Sequence, residues 1–254
     1  MTTATQRVCL FCDHTKLTRE HIWPNWIARL WASEKDWSPG RVNYESGEHY
    51  EWKAKSMEAV AKVVCKQCNE GWMHDLESRA APILKPLILN TAKPHDLSVR
   101  DLSILAAWGT LRSMVFAATL PEPEARFHTR DEYRRFATSL VPPTKAYMWL
   151  ATFPRGKPGA GHGVHTRIAK DGALAIAQVN CIIGQIAFQV MQWRSGRKPF
   201  SLPLSSGWHN ATLQVWPLAG RTVSWPPPVL LDVELVNMLC GRFLPVPYRF
   251  VPIF

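Results

Sequence analysis

The sequence predicts an α+β protein in two parts, and three observations carry that prediction. Two C-x-x-C pairs, Cys9–Cys12 and Cys65–Cys68, stand in the first part of the chain. The apolar period changes along the chain, from helical spacing over 98–140 to the two-residue alternation of strands over 145–216. Between these regions, Ala92–His95 holds a proline and no periodicity, which places a boundary near residue 95. The expected parts are residues 1–95, a small module organised by its cysteines, and residues 96–254, helices followed by an antiparallel sheet.

The cysteine pairs justify the first part. Each C-x-x-C forms a tight knuckle that presents two sulfurs to one ion, and two knuckles supply the four thiolates of a tetrahedral zinc site. Residues 1–7 read as a tail. Glu20-His21-Ile22-Trp23-Pro24 reads as extended, because Pro24 disfavours helix for Trp23. Asn25–Trp31 reads as a turn or two of helix opening at Pro24 or Asn25. Ser33–Gly47, rich in Asp, Ser, Gly and Pro, reads as a surface loop. Glu51–Val64 is ambiguous, with a strand expected at Ala59–Val64. The second knuckle feeds a helix from about Glu70 to Leu84, with Asn69 close to its N-cap.

In the second part, Ser98-Val99-Arg100-Asp101 resembles a capping box with Asp as the acid. It opens a helix to about Thr119, with Leu102, Leu105, Trp108, Leu111, Val115 and Ala118 on one side. Thr129-Arg130-Asp131-Glu132 opens a shorter helix to Leu140. Lys145–Phe153, Val164–Ala169, Leu174–Cys181, Gln185–Trp193 and Ala211–Trp216 read as strands of a meander, with turns at Gly156–Gly163 and Lys170–Gly172. Leu231–Leu239 reads as a short helix after the Pro226-Pro227-Pro228 break.

Charge and composition narrow the function. A net charge of +10 and a pI near 9.5 favour a polyanionic partner. Up to His95, Lys and Arg number 13 against 11 Asp and Glu, and from Asp96 onward 17 against 9, so the excess lies in the second part. Arg194, Arg197 and Lys198 form a basic turn there, suited either to gripping phosphate or to plain solvation. No apolar run is long enough to span a bilayer. The polar start Met1–Val8 does not read as a signal sequence, so a cytoplasmic protein with reduced thiols is expected. Cys181 and Cys240, isolated in apolar surroundings, read as core residues.

Glu20, His21 and Asn69 supply the parts that phosphodiester hydrolysis needs. An acid and a carboxamide offer oxygens to a hard cation beside the phosphate, and a histidine, which titrates near neutrality, can take the proton from water. On an extended segment Glu20 and His21 point to opposite sides, toward the cation and the attacking water. His14 and His74 read as surface residues, and Trp23, Trp26 and Trp72 as packing around the small module rather than stacking platforms.

The string C-x-x-C, E-H-I-W-P, C-x-x-C-N-x-G-W resembles the HNH (ββα-metal) endonucleases of the four-cysteine type, over roughly residues 8–80. The resemblance implies a zinc-stapled ββα-metal module that hydrolyses DNA phosphodiesters. It implies His21 as the general base, Glu20 and Asn69 as ligands of a catalytic Mg²⁺ or Mn²⁺, and Cys9, Cys12, Cys65 and Cys68 as ligands of a structural Zn²⁺. Glu20 stands where Asp is commoner in that family. Met57–Val64 lacks the orienting Asn of its second strand, which leaves a backbone carbonyl to orient His21. The residues do not distinguish DNA from RNA. One such site cuts one strand, so a double-strand break needs a homodimer or two encounters. The alternative of another class is a catalytically inactive zinc module that binds nucleic acid or a protein partner.

Overall fold

The structure, a computed structural model, describes residues 7–31, 40–42, 49–51, 60–89, 93–119, 127–153, 160–168, 174–195, 208–232 and 235. Strand β1 (Leu17–His21) pairs antiparallel with β4 (Val60–Cys65). The register shifts between Thr18 and Glu20, with one extra residue on β4, so Arg19 faces both Lys62 and Val63. Between the strands lie helix α1 (Asn25–Arg29) and a small hairpin of β2 (Gly40–Val42) and β3 (His49–Glu51). Pro24 starts α1: its carbonyl accepts from the N–H groups of Ile27 (2.9 Å) and Ala28 (3.4 Å). The hairpin replaces part of the expected Ser33–Gly47 loop, the rest of which lies outside the described residues.

β4 continues without a break into α2 (Lys66–Cys68), a widened π turn (Asn69–Met73) kinked at Gly71, and α3 (His74–Leu89). The sulfur of Cys65 caps this run by accepting the Cys68 N–H at 3.5 Å. Asn69 therefore stands inside the helical run rather than at its cap, because the knuckle itself supplies the cap. α3 extends beyond the expected Leu84, through Pro82 and Pro86, because Leu76, Ala80, Leu84, Leu87 and Ile88 keep a buried seam along it.

A short strand, β5 (His95–Leu97), pairs with β11 (Val223–Trp225) and leads into α4 (Val99–Ala118). The capping box at its start is formed: Ser98 Oγ accepts the Asp101 N–H at 3.2 Å, and Asp101 accepts the Ser98 N–H at 2.9 Å. Thr129 and Glu132 make the same exchange at α5 (Arg130–Ser139), which ends at Leu140 in the left-handed region with φ 54°. α4 differs from its expected one-sided pattern. Every residue from Leu105 to Ala118 is buried, so this is a central helix covered all round.

The larger sheet has the order β10-β6-β9-β8-β7, antiparallel throughout, from β6 (Ala146–Thr152), β7 (Ala160–Ile168), β8 (Leu174–Ile183), β9 (Ile186–Ser195) and β10 (Leu213–Trp216). It is not the simple meander expected. β7, β8 and β9 run consecutively, but β6 pairs with β9, and β10, which follows the short helix α6 (Trp208–Ala211), pairs with β6. Gly109 sets the distance between α4 and this sheet, since a Cβ there would overlap the Phe188 ring. Of the expected Leu231–Leu239 helix, most lies outside the described residues.

Two buried clusters hold these parts together. The larger joins Trp23, Ile27 and Trp31 with α3, α4 and the α4-facing side of the sheet. The smaller surrounds the knuckles with Phe11, Val64, Met73, Leu76, Leu111, Tyr133 and Phe136. Each draws residues from both sides of residue 95. No described helix is long and apolar enough to cross a membrane.

Candidate functional site

The four cysteines converge, although fifty-three residues separate Cys12 from Cys65. β4 delivers Cys65 at its end, the first turn of α2 brings Cys68 back beside it, and the Leu10 N–H bonds to the Val63 carbonyl at 2.9 Å to dock the first knuckle on the same strand. The four Sγ atoms lie within 4.8 Å of one another, with Cys12–Cys65 at 3.5 Å and Cys12–Cys68 at 3.7 Å. Zinc–sulfur bonds of about 2.3 Å in a tetrahedron put sulfurs about 3.8 Å apart, so the set fits a zinc ion.

The electrostatics favour the same chemistry. Burial pushes the Cys68 thiol well above its usual range, and neighbouring sulfurs push it further. Burial likewise raises Cys12. At Cys65 burial acts in the same direction, but the Cys68 N–H and the adjacent thiols outweigh it, and the pKa falls. Four crowded thiols, three of them buried, cannot all ionise side by side without a cation, and a divalent soft metal removes that obstacle.

The module around the cysteines is packed and clamped. Trp72 meets Phe11 edge to face at 5.0 Å and Phe136 at 5.9 Å. Trp23 packs on Phe116 at 5.0 Å. Arg130 of α5 donates to the carbonyls of Cys9 and Cys12 and, at 3.0 Å, to Asp13, which also pairs with Arg134. These guanidinium groups hold the Asp13 carboxyl below its ordinary range.

Glu20 and His21 sit at the end of β1, beside this centre. The Glu20 side chain is only 6 % exposed and is paired with an arginine of α4: Arg112 Nη2 donates to Glu20 Oε1 at 3.2 Å and forms an ion pair with Glu77 Oε1, on α3, at 3.0 Å. Arg112 Nη1 donates to the carbonyls of His21 (3.3 Å) and Ile22 (3.4 Å). Burial raises the Glu77 pKa; Arg112 opposes that rise, Glu20 adds to it, and the nearby His74 and His21 oppose it weakly. His21 and Asn69 are both half-buried, and among the described residues neither side chain has a hydrogen-bond partner. Among the described residues only the cysteines bring three or more His, Cys, Asp or Glu ligand atoms together.

The structure thus brings Glu20, the His21 backbone, Glu77 and Arg112 into one buried cluster. Glu77 and Arg112 were missed in the sequence. A signal for Arg112 was present, since it is the one charge past the first turn of an otherwise uncharged helix, and a charge in such a place needs a partner. Of the basic turn, Arg194 is engaged. It donates to Glu132 Oε1 at 3.3 Å and to Glu132 Oε2, with its guanidinium 4.5 Å over the Phe127 ring. Arg197, Lys198 and Cys240 lie outside the described residues. His14 and His74 are exposed, and Cys181 is buried. The chain matches no family model, no curated protein and no solved structure.

Proposed function

We propose that this protein is a metal-dependent endonuclease that hydrolyses phosphodiester bonds in DNA, with His21 activating water. One observation carries the reading. The strand bearing Glu20 and His21 pairs with the strand that leads through the Cys65–Cys68 knuckle into a helix, and Asn69 follows that knuckle directly. The order strand, strand, helix, joined where four thiols converge, supports the reading, and the acid, the histidine and the carboxamide are carried on those elements. Glu20 and Asn69 would hold a Mg²⁺ or Mn²⁺, which when bound supplies charge stabilisation at the phosphate. His21 would take the proton from the attacking water.

The test is plasmid nicking with Mg²⁺ or Mn²⁺. His21→Ala removes the base and no zinc ligand. Zinc content and melting temperature should hold, and the nicking rate should fall by roughly 10²–10⁴-fold, the usual worth of a positioned base. A His21→Ala protein that nicks like wild type refutes the reading.

The Glu20–Arg112 pair favours a second reading, a zinc module that binds nucleic acid or protein without cutting. A carboxylate already neutralised by a guanidinium is a weaker ligand for a hard cation. Stoichiometric zinc and nucleic-acid binding, with no nicking in any divalent metal, would select it.

A further inference from the structure

Arg112 uses two nitrogens on two kinds of acceptor. Through Nη2 it bridges Glu20 and Glu77, and through Nη1 it holds the carbonyls of His21 and Ile22. Glu20 and Arg112 alone would cancel, leaving little attraction for a second cation. Glu77 changes the sum, because two ionised carboxylates around one guanidinium carry a net negative charge. Glu20 meets Arg112 through Oε1, and among the described residues no donor reaches its Oε2.

We propose that Arg112 and Glu77 together position and charge the Glu20–His21 site. Arg112 fixes Glu20 by one oxygen and the His21 backbone by its carbonyl, and Glu77 restores the negative charge that Arg112 removes, so that Glu20 keeps Oε2 as a ligand for a divalent cation. The proposal rests on the nuclease reading for its purpose, but its consequences can be read without cleavage. Arg112 and Glu77 are positioning residues, since the structure gives them contacts to Glu20 and to the chain rather than to a reacting group.

Two conservative variants of the full chain separate the two roles. Glu77→Gln keeps the shape and leaves Arg112 paired with Glu20, so the fold survives. Arg112→Lys keeps a cation between the carboxylates but loses the planar fork that reaches both carbonyls. Titration calorimetry with Mn²⁺ on zinc-loaded protein reads the charge. Glu77→Gln should bind Mn²⁺ about tenfold or more weakly, because a unit charge is lost within a few ångströms of the cation in a poorly screened interior, and Arg112→Lys should stay within about threefold of wild type by the same criterion. Amide hydrogen exchange over residues 17–24 reads the positioning. Arg112→Lys should exchange faster there, and Glu77→Gln should match wild type.

Equal Mn²⁺ affinity in Glu77→Gln and wild type overturns the charging role, as does a wild type that binds no Mn²⁺. Unchanged exchange in Arg112→Lys overturns the positioning role. Should wild type bind Mn²⁺ and cut nothing, the nuclease reading falls, while these two comparisons still decide the proposal.

Discussion

The two buried polar centres of this protein solve the same problem in opposite ways. At the knuckles, four sulfurs converge, and among the described residues no lysine or arginine side chain is paired with them. At the second centre α3 and β1 bring two carboxylates together, and α4 inserts Arg112, forty-four residues past the last of these cysteines in sequence, between them. The first centre has the spacing to take a metal ion. The second is complete as a fold without one. The difference teaches how to read a cluster of ligand-type side chains: when like groups meet with no internal counter-charge, a metal is the economical explanation. When an arginine already bridges them, burial alone explains the cluster, and a further cation has to be argued from what charge remains.

Removing zinc should produce the largest effect. Cys65→Ser, or chelation under reducing conditions, should release one zinc per chain and melt the cluster around Phe11, Val64 and Tyr133. Structural zinc contributes on the order of 10 kcal/mol in small modules, comparable with the whole stability of a domain. Metal analysis and a thermal scan check this. A protein purified without stoichiometric zinc and equally stable would erase the contrast between the centres.

Arg112→Met comes next. It leaves Glu20 and Glu77 facing each other in the interior without their shared cation. Breaking a buried pair by removing one partner costs about 3–5 kcal/mol, and chemical denaturation should show a loss of that size with zinc retained. A loss under about 1 kcal/mol would mean that the pair behaves as a surface ion pair does.

Acid should weaken the protein through two histidines outside both centres. Burial holds His162, stacked 3.9 Å from Phe116, at a pKa of about 4. Burial also lowers His128 to about 4, against an opposing effect of Glu132 and with a small contribution from Arg194. Both values lie below the ordinary 6.5, so the unfolded chain takes up these protons first. The stabilisation is therefore full above pH 6.5 and is lost as pH falls toward 4, by up to about 3 kcal/mol for each histidine. His162→Phe should flatten the melting temperature over that window, and an unchanged slope would show that His162 is not held neutral.

The smallest effect belongs to the clamp on the first knuckle. Arg130→Ala removes two hydrogen bonds to the Cys9 and Cys12 carbonyls and should cost about 1–3 kcal/mol. Faster zinc loss to a chelator would show that α5 supports the metal centre from outside its ligand set.

The sequence made the first centre legible and hid the second. Paired cysteines announce themselves by spacing, and Ser98 and Thr129 announce α4 and α5 because a capping box is a local device. Glu20–Arg112 is a contact between residues ninety-two apart, and no local pattern encodes it. The same limit explains the sheet order. Consecutive hairpins β7–β8–β9 follow from turn signals, but the pairing of β6 with β9 is a long-range choice made by the buried faces. Asn69 moved from cap to helix interior because a cysteine sulfur took the role usually given to Ser, Thr, Asn or Asp.

The distance in sequence between Glu20 and Arg112 also bears on the order of events during synthesis. A ribosome delivers both knuckles and the Glu20–His21 strand well before it delivers α4. A nascent or truncated chain that ends before α4 holds all four cysteines while the neighbouring corner still lacks the arginine that seats it. On the reading proposed here, such a fragment has its thiols but is unarmed, and competence is conferred only once the downstream helix has been made and has docked.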